Sequence, residues 1–144
     1  MTLVVRSTRV LCAGEAPPAR ILCHGTPDPA LTWIEVIGTP DWDQMTRASV
    51  AYNLARPTSR TLWDFRSGVF PGLDAARSRA VAEQVGPHLR DAPDRRVAMV
   101  AATAREFGLL RMYASWAEAT LTGRVAMAFA PFRDVQTALR WLAD

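Results

Sequence analysis

Ala98-Met99-Val100-Ala101 and Val125-Ala126-Met127-Ala128-Phe129 are two nearly unbroken apolar runs of strand length. A strand with one face in water alternates apolar and polar side chains, so runs like these belong to strands covered on both faces, as in a parallel sheet. Between them, residues 104–121 have the length of a helix, the crossover that two parallel strands need. Working outward, the same alternation holds: strand at 60–65, helix at 73–89, strand at 96–100, helix at 104–121, strand at 125–129 and a last helix at 134–142. Such alternation predicts right-handed crossovers and a mainly parallel sheet.

The first half opens differently. Ile21–His24 and Leu31–Ile37 are strand-like runs on either side of Gly25-Thr26-Pro27-Asp28-Pro29, a segment of turn formers, and so predict a β-hairpin. Thr39-Pro40-Asp41 reads as an N-cap, a proline at the first helical position and an acid in the first turn. Trp42, Met45, Ser49 and Tyr52 follow at helical spacing, and the helix is expected to run to about Ala55, stopped by Pro57. Gly86-Pro87 is expected to break the next helix, with His88 in its irregular end. Near the start, Val4, Val5, Val10 and Leu11 favour a short strand, and Ala13-Gly14-Glu15-Ala16-Pro17-Pro18 has the composition of a linker. The expected architecture is α/β: an arm over residues 1–19, then one domain over 20–144. That domain is a β-hairpin followed by alternating strands and helices, with a mainly parallel central sheet of about five strands and about four helices.

With 144 residues, 49% of them hydrophobic and 22% charged, the chain has the composition of an ordered protein with one core. All seventeen basic side chains are arginine, dispersed among fourteen acids for a net charge of +3. Without a basic run or an RNA-binding aromatic signature, this pattern carries no nucleic-acid footprint, and no nucleic-acid partner is expected. Cys12 and Cys23 are too far apart for a CxxC pair, with only His24 nearby, so they read as free thiols and no metal site is expected. No apolar run approaches a membrane span, and Arg6 and Arg9 interrupt the start where a signal peptide would be apolar. A cytoplasmic location is the expectation.

Three segments resemble the SpoIIAA-like branch of the STAS family. Leu62-Trp63-Asp64-Phe65-Arg66-Ser67-Gly68 is similar to the D-[apolar]-R-x-G ending of that family's third strand, and Phe107-Gly108-Leu109-Leu110-Arg111-Met112-Tyr113 to its FG-x-x-RMY helix. Residues 129–142, from Phe129 to Leu142, resemble its closing F-R-D-apolar-x-x-A-x-x-W-L segment. The resemblance covers about residues 20–144 and implies a SpoIIAA/STAS-like fold. It also implies a non-enzymatic regulator that docks on a partner, in some relatives under control of a serine at the start of the helix after the third strand. This chain departs there: Gly68-Val69-Phe70-Pro71-Gly72-Leu73-Asp74 has no Asp-Ser pair, and Ser67 lies upstream.

Ligands of parallel α/β sheets collect at the carboxyl ends of strands. That edge is expected to hold Asp64 and Arg66 after the third strand, Thr103 and Arg105 after the fourth, and Arg133 after the fifth. Arg66, Arg105 and Arg133 beside the free amides of a helix start would suit a phosphate or carboxylate. Pairing of these arginines with Asp64, Glu106 and Asp134 is the competing outcome. Thr103-Ala104-Arg105-Glu106 fits a capping box, with Glu106 reaching back to the Thr103 amide. No GxSxG elbow, GxGxxG or GxxxxGK[ST] loop occurs, and neither His24 nor His88 has a catalytic partner by position. No catalytic residue and no cofactor is therefore expected.

Alternation along the second hairpin strand places Leu31, Trp33, Glu35 and Ile37 on one face. With Trp63 beside Trp33, the sheet would display an apolar patch for a protein partner or a second copy of the chain. The helix at 104–121 turns Phe107, Leu110, Ala114 and Ala117 inward and leaves Arg111 and Tyr113 flanking them. Two functions follow. The first is a non-catalytic STAS-like regulatory or protein-interaction module, a homodimer among its forms, using Trp33, Trp63, Arg111 and Tyr113. The alternative is a small-ligand or anion-binding protein, an enzyme included, using Asp64, Arg66, Thr103, Arg105 and Arg133.

Overall fold

In the computed structural model, which describes residues 3–6, 19–55, 58–72, 75–85, 95–121 and 127–144, six strands form one sheet in chain order. They are β1 (Leu3–Arg6), β2 (Arg20–His24), β3 (Leu31–Gly38), β4 (Arg60–Gly68), β5 (Arg95–Val100) and β6 (Met127–Phe132). β1 to β3 run antiparallel to their neighbours, and β3 to β6 are parallel. Helices α1 (Trp42–Ala55), α2 (Ala75–Val85) and α3 (Ala104–Leu121) connect the parallel strands, and α4 (Val135–Ala143) follows β6. The α/β class, the hairpin and the alternation are as expected. The sixth strand is β1, which the amino-terminal residues add to the edge beside β2. Strand β4 continues three residues past the expected Phe65. Strand β6 takes in Pro131 at the opposite edge, where a missing N–H is tolerated. Cys12, Gly86-Pro87, His88, Val125 and Ala126 lie outside the described residues.

The two faces of the sheet are covered unequally. On the front, Ile21, Cys23, Ile34, Val36, Phe65 and Met99 pack with Trp42, Met45, Ala48 and Tyr52 of α1 and Leu110 and Ala114 of α3. On the reverse, Leu62, Ala98 and Val100 meet Ala138 and Leu142 of α4, flanked by Leu31, Trp33, Phe132, Val135, Leu139 and Trp141. Val135, Ala138, Leu139 and Leu142 recur at i, i+3, i+4 and i+7, a single apolar stripe. Among the described residues α4 packs on β4, β5 and β6 and is the helix of the reverse face.

Capping residues set the helix ends. Asp41, not Thr39, caps α1: its Oδ1 accepts from the Gln44 amide at 2.8 Å, and Gln44 Oε1 accepts from the Asp41 amide at 2.9 Å. Asp134 Oδ1 accepts from the Thr137 amide at 2.8 Å and starts α4. The other end of α4 is held by arginines from the sheet. Arg60 Nε donates to the Leu142 carbonyl at 2.6 Å. Arg96 donates to the Trp141 carbonyl at 2.7 Å while its guanidinium lies 5.5 Å from the Trp141 ring centroid. Cations at the last carbonyls satisfy orphan acceptors and oppose the helix dipole.

Gly68 explains the last letter of the D-x-R-x-G segment. A Cβ built there would lie 2.6 Å from the Val36 carbonyl oxygen and 2.8 Å from Val36 Cγ1, beside the register shift between Glu35 and Ile37. No flexible side-chain tip can yield there, because the nearest obstacle is backbone. Gly68→Ala is expected to destabilise the protein by about 2–3 kcal/mol, seen as an earlier midpoint in urea unfolding. An unchanged midpoint would show that β3 shifts to admit the methyl group.

Candidate functional site

Between the β2–β3 turn, the reverse faces of β3 and β4, and α4 lies an open cleft of about 490 Å³, lined by His24, Thr26, Leu31, Trp33, Glu35, Asp64, Arg66 and Leu139, among others. The turn that forms its rim is self-organised. Thr26 Oγ1 donates to the Asp28 carbonyl at 2.7 Å and also contacts the Leu31 carbonyl, and Asp28 Oδ1 accepts from the Ala30 amide at 2.8 Å.

At the floor of the cleft sits Asp64, a carboxylate only 2% exposed in the middle of β4. Alternation puts Arg66 on the same face two residues on. Oδ1 of Asp64 accepts from the Arg66 backbone N–H and Nε, both at 3.0 Å, and Oδ2 accepts from an Arg66 terminal nitrogen at 2.9 Å. The Trp33 indole N–H adds a longer bond to Oδ2 at 3.3 Å. Burial alone would raise the Asp64 pKa. The hydrogen bonds and charge of Arg66, helped by Trp33, outweigh it and hold the carboxyl below its usual range. Asp64 raises the Arg66 guanidinium in return, and the charge of Glu35 acts in the same direction. Glu35 pairs with Asp64 in the β3–β4 register, and its Oε1 lies 3.5 Å from His24 Nε2 of β2.

The residues singled out from sequence fall into separate places. Trp33, Asp64 and Arg66 are brought together in the cleft. Trp33 and Trp63 are not neighbours: Trp33 pairs with Leu62 on the reverse face, whereas Trp63 pairs with Ile34 and packs with the front core, its ring stacked on Phe65 at 6.2 Å. The cause is cross-strand register, which sets Trp63 one residue out of phase with Trp33. Arg133 donates to the Ala102 carbonyl at 3.3 Å, and Thr103 and Arg105 are exposed at the start of α3. Thr103 does accept from the Glu106 amide at 3.2 Å, but Glu106 does not close the capping box. Its Oε2 accepts from the Phe70 amide at 3.1 Å and pins the loop after β4 to α3. Arg111 is exposed on α3. Tyr113 packs against Trp42, Phe70 and Trp116, and burial pushes its phenol up to about 12. His24, Glu35 and Leu139 are cleft residues that sequence reasoning missed. The available signal was the alternation that puts Glu35 on the face of Trp33.

The chain is similar to a solved protein with a SpoIIAA-like fold. That protein, from Shewanella loihica PV-4, is an uncharacterized member of the DUF3478 family. The two share 18% sequence identity over 86% of this chain and 93% of that one, with a TM-score of 0.48. No family model matches the chain, and no curated protein does. Among the described residues no helix is long and apolar enough to cross a membrane, and no group of three or more metal-ligating side chains occurs.

The depressed Asp64 pKa has a definite consequence for stability. A carboxyl whose folded pKa lies below its unfolded value stabilises the fold above the unfolded pKa, and that contribution is lost as pH falls through the folded one. Asp64→Asn is expected to cost about 1–3 kcal/mol at neutral pH, the range for losing charge-assisted bonds to a buried group. Urea unfolding at stepped pH should also show a shallower acid-side loss of stability in the variant. Equal acid limbs in the two proteins would remove Asp64 as a source of that dependence.

Proposed function

We propose that this chain is a non-catalytic interaction module that docks a partner polypeptide on the reverse face of its sheet. The observation that carries this reading is the partial cover of that face among the described residues. α4 packs on β4 to β6, while on β2 and β3 the reverse-face side chains Leu22, Trp33, Glu35 and Ile37 are half-buried and Arg20 is exposed. Apolar groups edged by charges, next to a cleft, make the kind of surface that polypeptides recognise. The STAS-like motifs agree with this reading, since better-known relatives of that type dock on partners. Residues 20–144 serve as the module's domain, and its place of action is the cytoplasm. A second copy of the chain, related by a two-fold axis, is the simplest occupant.

The rival anion site has less to support it. Arg66 is neutralised by Asp64 and Arg133 is bonded to a backbone carbonyl, so neither is held in readiness for a phosphate.

Photo-crosslinking in living cells tests the reading. A benzoylphenylalanine at position 22 or 37 is expected to give a discrete adduct, and one at position 111, exposed on α3, is expected to give none. An adduct of twice the chain's mass would identify a second copy as the occupant. Positions 22 and 37 remaining free of adduct would overturn the proposal.

A further inference from the structure

With histidine counted as neutral, the cleft beside the half-buried strands β2 and β3 has a charge opposite to that of the chain as a whole. The protein carries +3. Within the cleft, Arg66 is matched by Asp64 at 2.9 Å, which leaves Glu35 as the second carboxylate, its side chain 32% exposed. Diagonally across the hairpin from Glu35, His24 stands 3.5 Å away and carries charge only when protonated. Leu31, Pro27 and Leu139 give the cleft apolar walls, and Trp33, whose indole N–H already engages Asp64, contributes its ring. A carboxylate and an indole above apolar walls are the parts from which sites for organic cations are built. Guanidinium and ammonium groups on an aliphatic stem match both features, because the stem lies along apolar surface while the head meets the charge. The volume, about 490 Å³, falls within the range of small-ligand sites, so a long side chain fits with part of its flanking backbone.

We propose that this cleft receives an arginine or lysine side chain of the docked partner, its cationic head at Glu35 and its stem along Trp33, Leu31 and Leu139. The inference rests on the docking reading above and adds the chemistry of the partner: the segment that lies on the reverse face is basic at the point where it crosses the cleft.

Butylguanidinium serves as the side-chain probe, with butanol and butyrate as controls for the stem and for charge of the wrong sign. Titration followed by the Trp33 indole N–H resonance, assigned with Trp33→Phe, is expected to show saturable shifts with butylguanidinium alone. Glu35→Gln should weaken that binding by about threefold or more, the scale of one exposed ion pair. Glu35→Arg should transfer the preference to butyrate. Binding of butanol equal to that of butylguanidinium, or an affinity untouched by Glu35→Gln, would overturn the proposal. The cellular crosslink separates this inference from the one beneath it. An adduct from position 22 that falls in the Glu35→Gln background supports both. An adduct that persists undiminished leaves docking in place and removes the basic side chain. Butylguanidinium binding without any adduct from positions 22 or 37 overturns the partner as the source of the cation, and with it the docking reading.

Discussion

Successive crossovers of one hand that step in one direction across a sheet lay their helices on the same side. From β3 to β6 every parallel strand is added next to the one before, so the helices of the crossovers crowd the front, and cover for the reverse must come from outside the crossovers. In the described structure that cover is α4, a helix of nine residues. At 1.5 Å per residue such a helix is about 14 Å long and, with side chains, about 10 Å wide. Strands spaced about 4.8 Å apart mean that it spans two or three of them in either direction. It lies on β4 to β6. Among the described residues the half-buried reverse face of β2 and β3 is thus a geometric result of chain order and helix length, and the cleft lies where the cover by α4 ends.

The boundary of that step is held by one buried charge. A carboxylate in the middle of a strand costs several kcal/mol to desolvate unless its oxygens are met by donors. Asp64 meets this demand locally, from the backbone and side chain of a residue two positions on, and needs only Trp33 from another strand. Asp64, Arg66 and Gly68 therefore act together: an internal ion pair on the reverse face, and a close backbone approach to Val36 where the register shifts. A structural task accounts for all three residues. Their effect on the cleft is to fix the Trp33 ring as its wall and to cancel the positive charge of Arg66.

What could be read from sequence was whatever depends on neighbours along the chain. The apolar run at 98–101 announced a doubly covered strand, and Ala104–Leu121 appeared with the bounds its pattern predicts, since both follow from local periodicity and capping. Strand β4 outran its expected end because Arg66 and Ser67 are polar, and the ion pair that lets them stay in a strand is visible only in three dimensions. The cap of α1 moved to Asp41 because Gln44 returns its hydrogen bond, a reciprocity that Thr39 does not have. What depends on partners distant in sequence was not readable. The hold on α4 joins Arg60 to Leu142 and Arg96 to Trp141. The diagonal contact of His24 with Glu35 follows from a hairpin register that sets His24 opposite Trp33, and the parting of Trp33 from Trp63 from the register of β3 on β4.

The arginine-rich composition illustrates why a net charge does not name a partner. With no lysine in the chain, every task for a cation falls to a guanidinium, whose planar fork suits carbonyl and carboxylate acceptors alike. Arg60, Arg96 and Arg133 are spent on backbone carbonyls and Arg66 on a carboxylate. Arg60 and Arg96 tie the end of α4 to the sheet, Arg133 joins two loops and Arg66 pairs within β4, so the positive charge counted in the sequence is partly the charge of structural clamps. In the cleft the balance is reversed: Asp64 and Glu35 face a single arginine. Attraction at short range is governed by that local balance, since a charge beyond about 8–10 Å is screened at physiological salt. The net charge of +3 therefore does not fix the sign of the charge at each part of the surface.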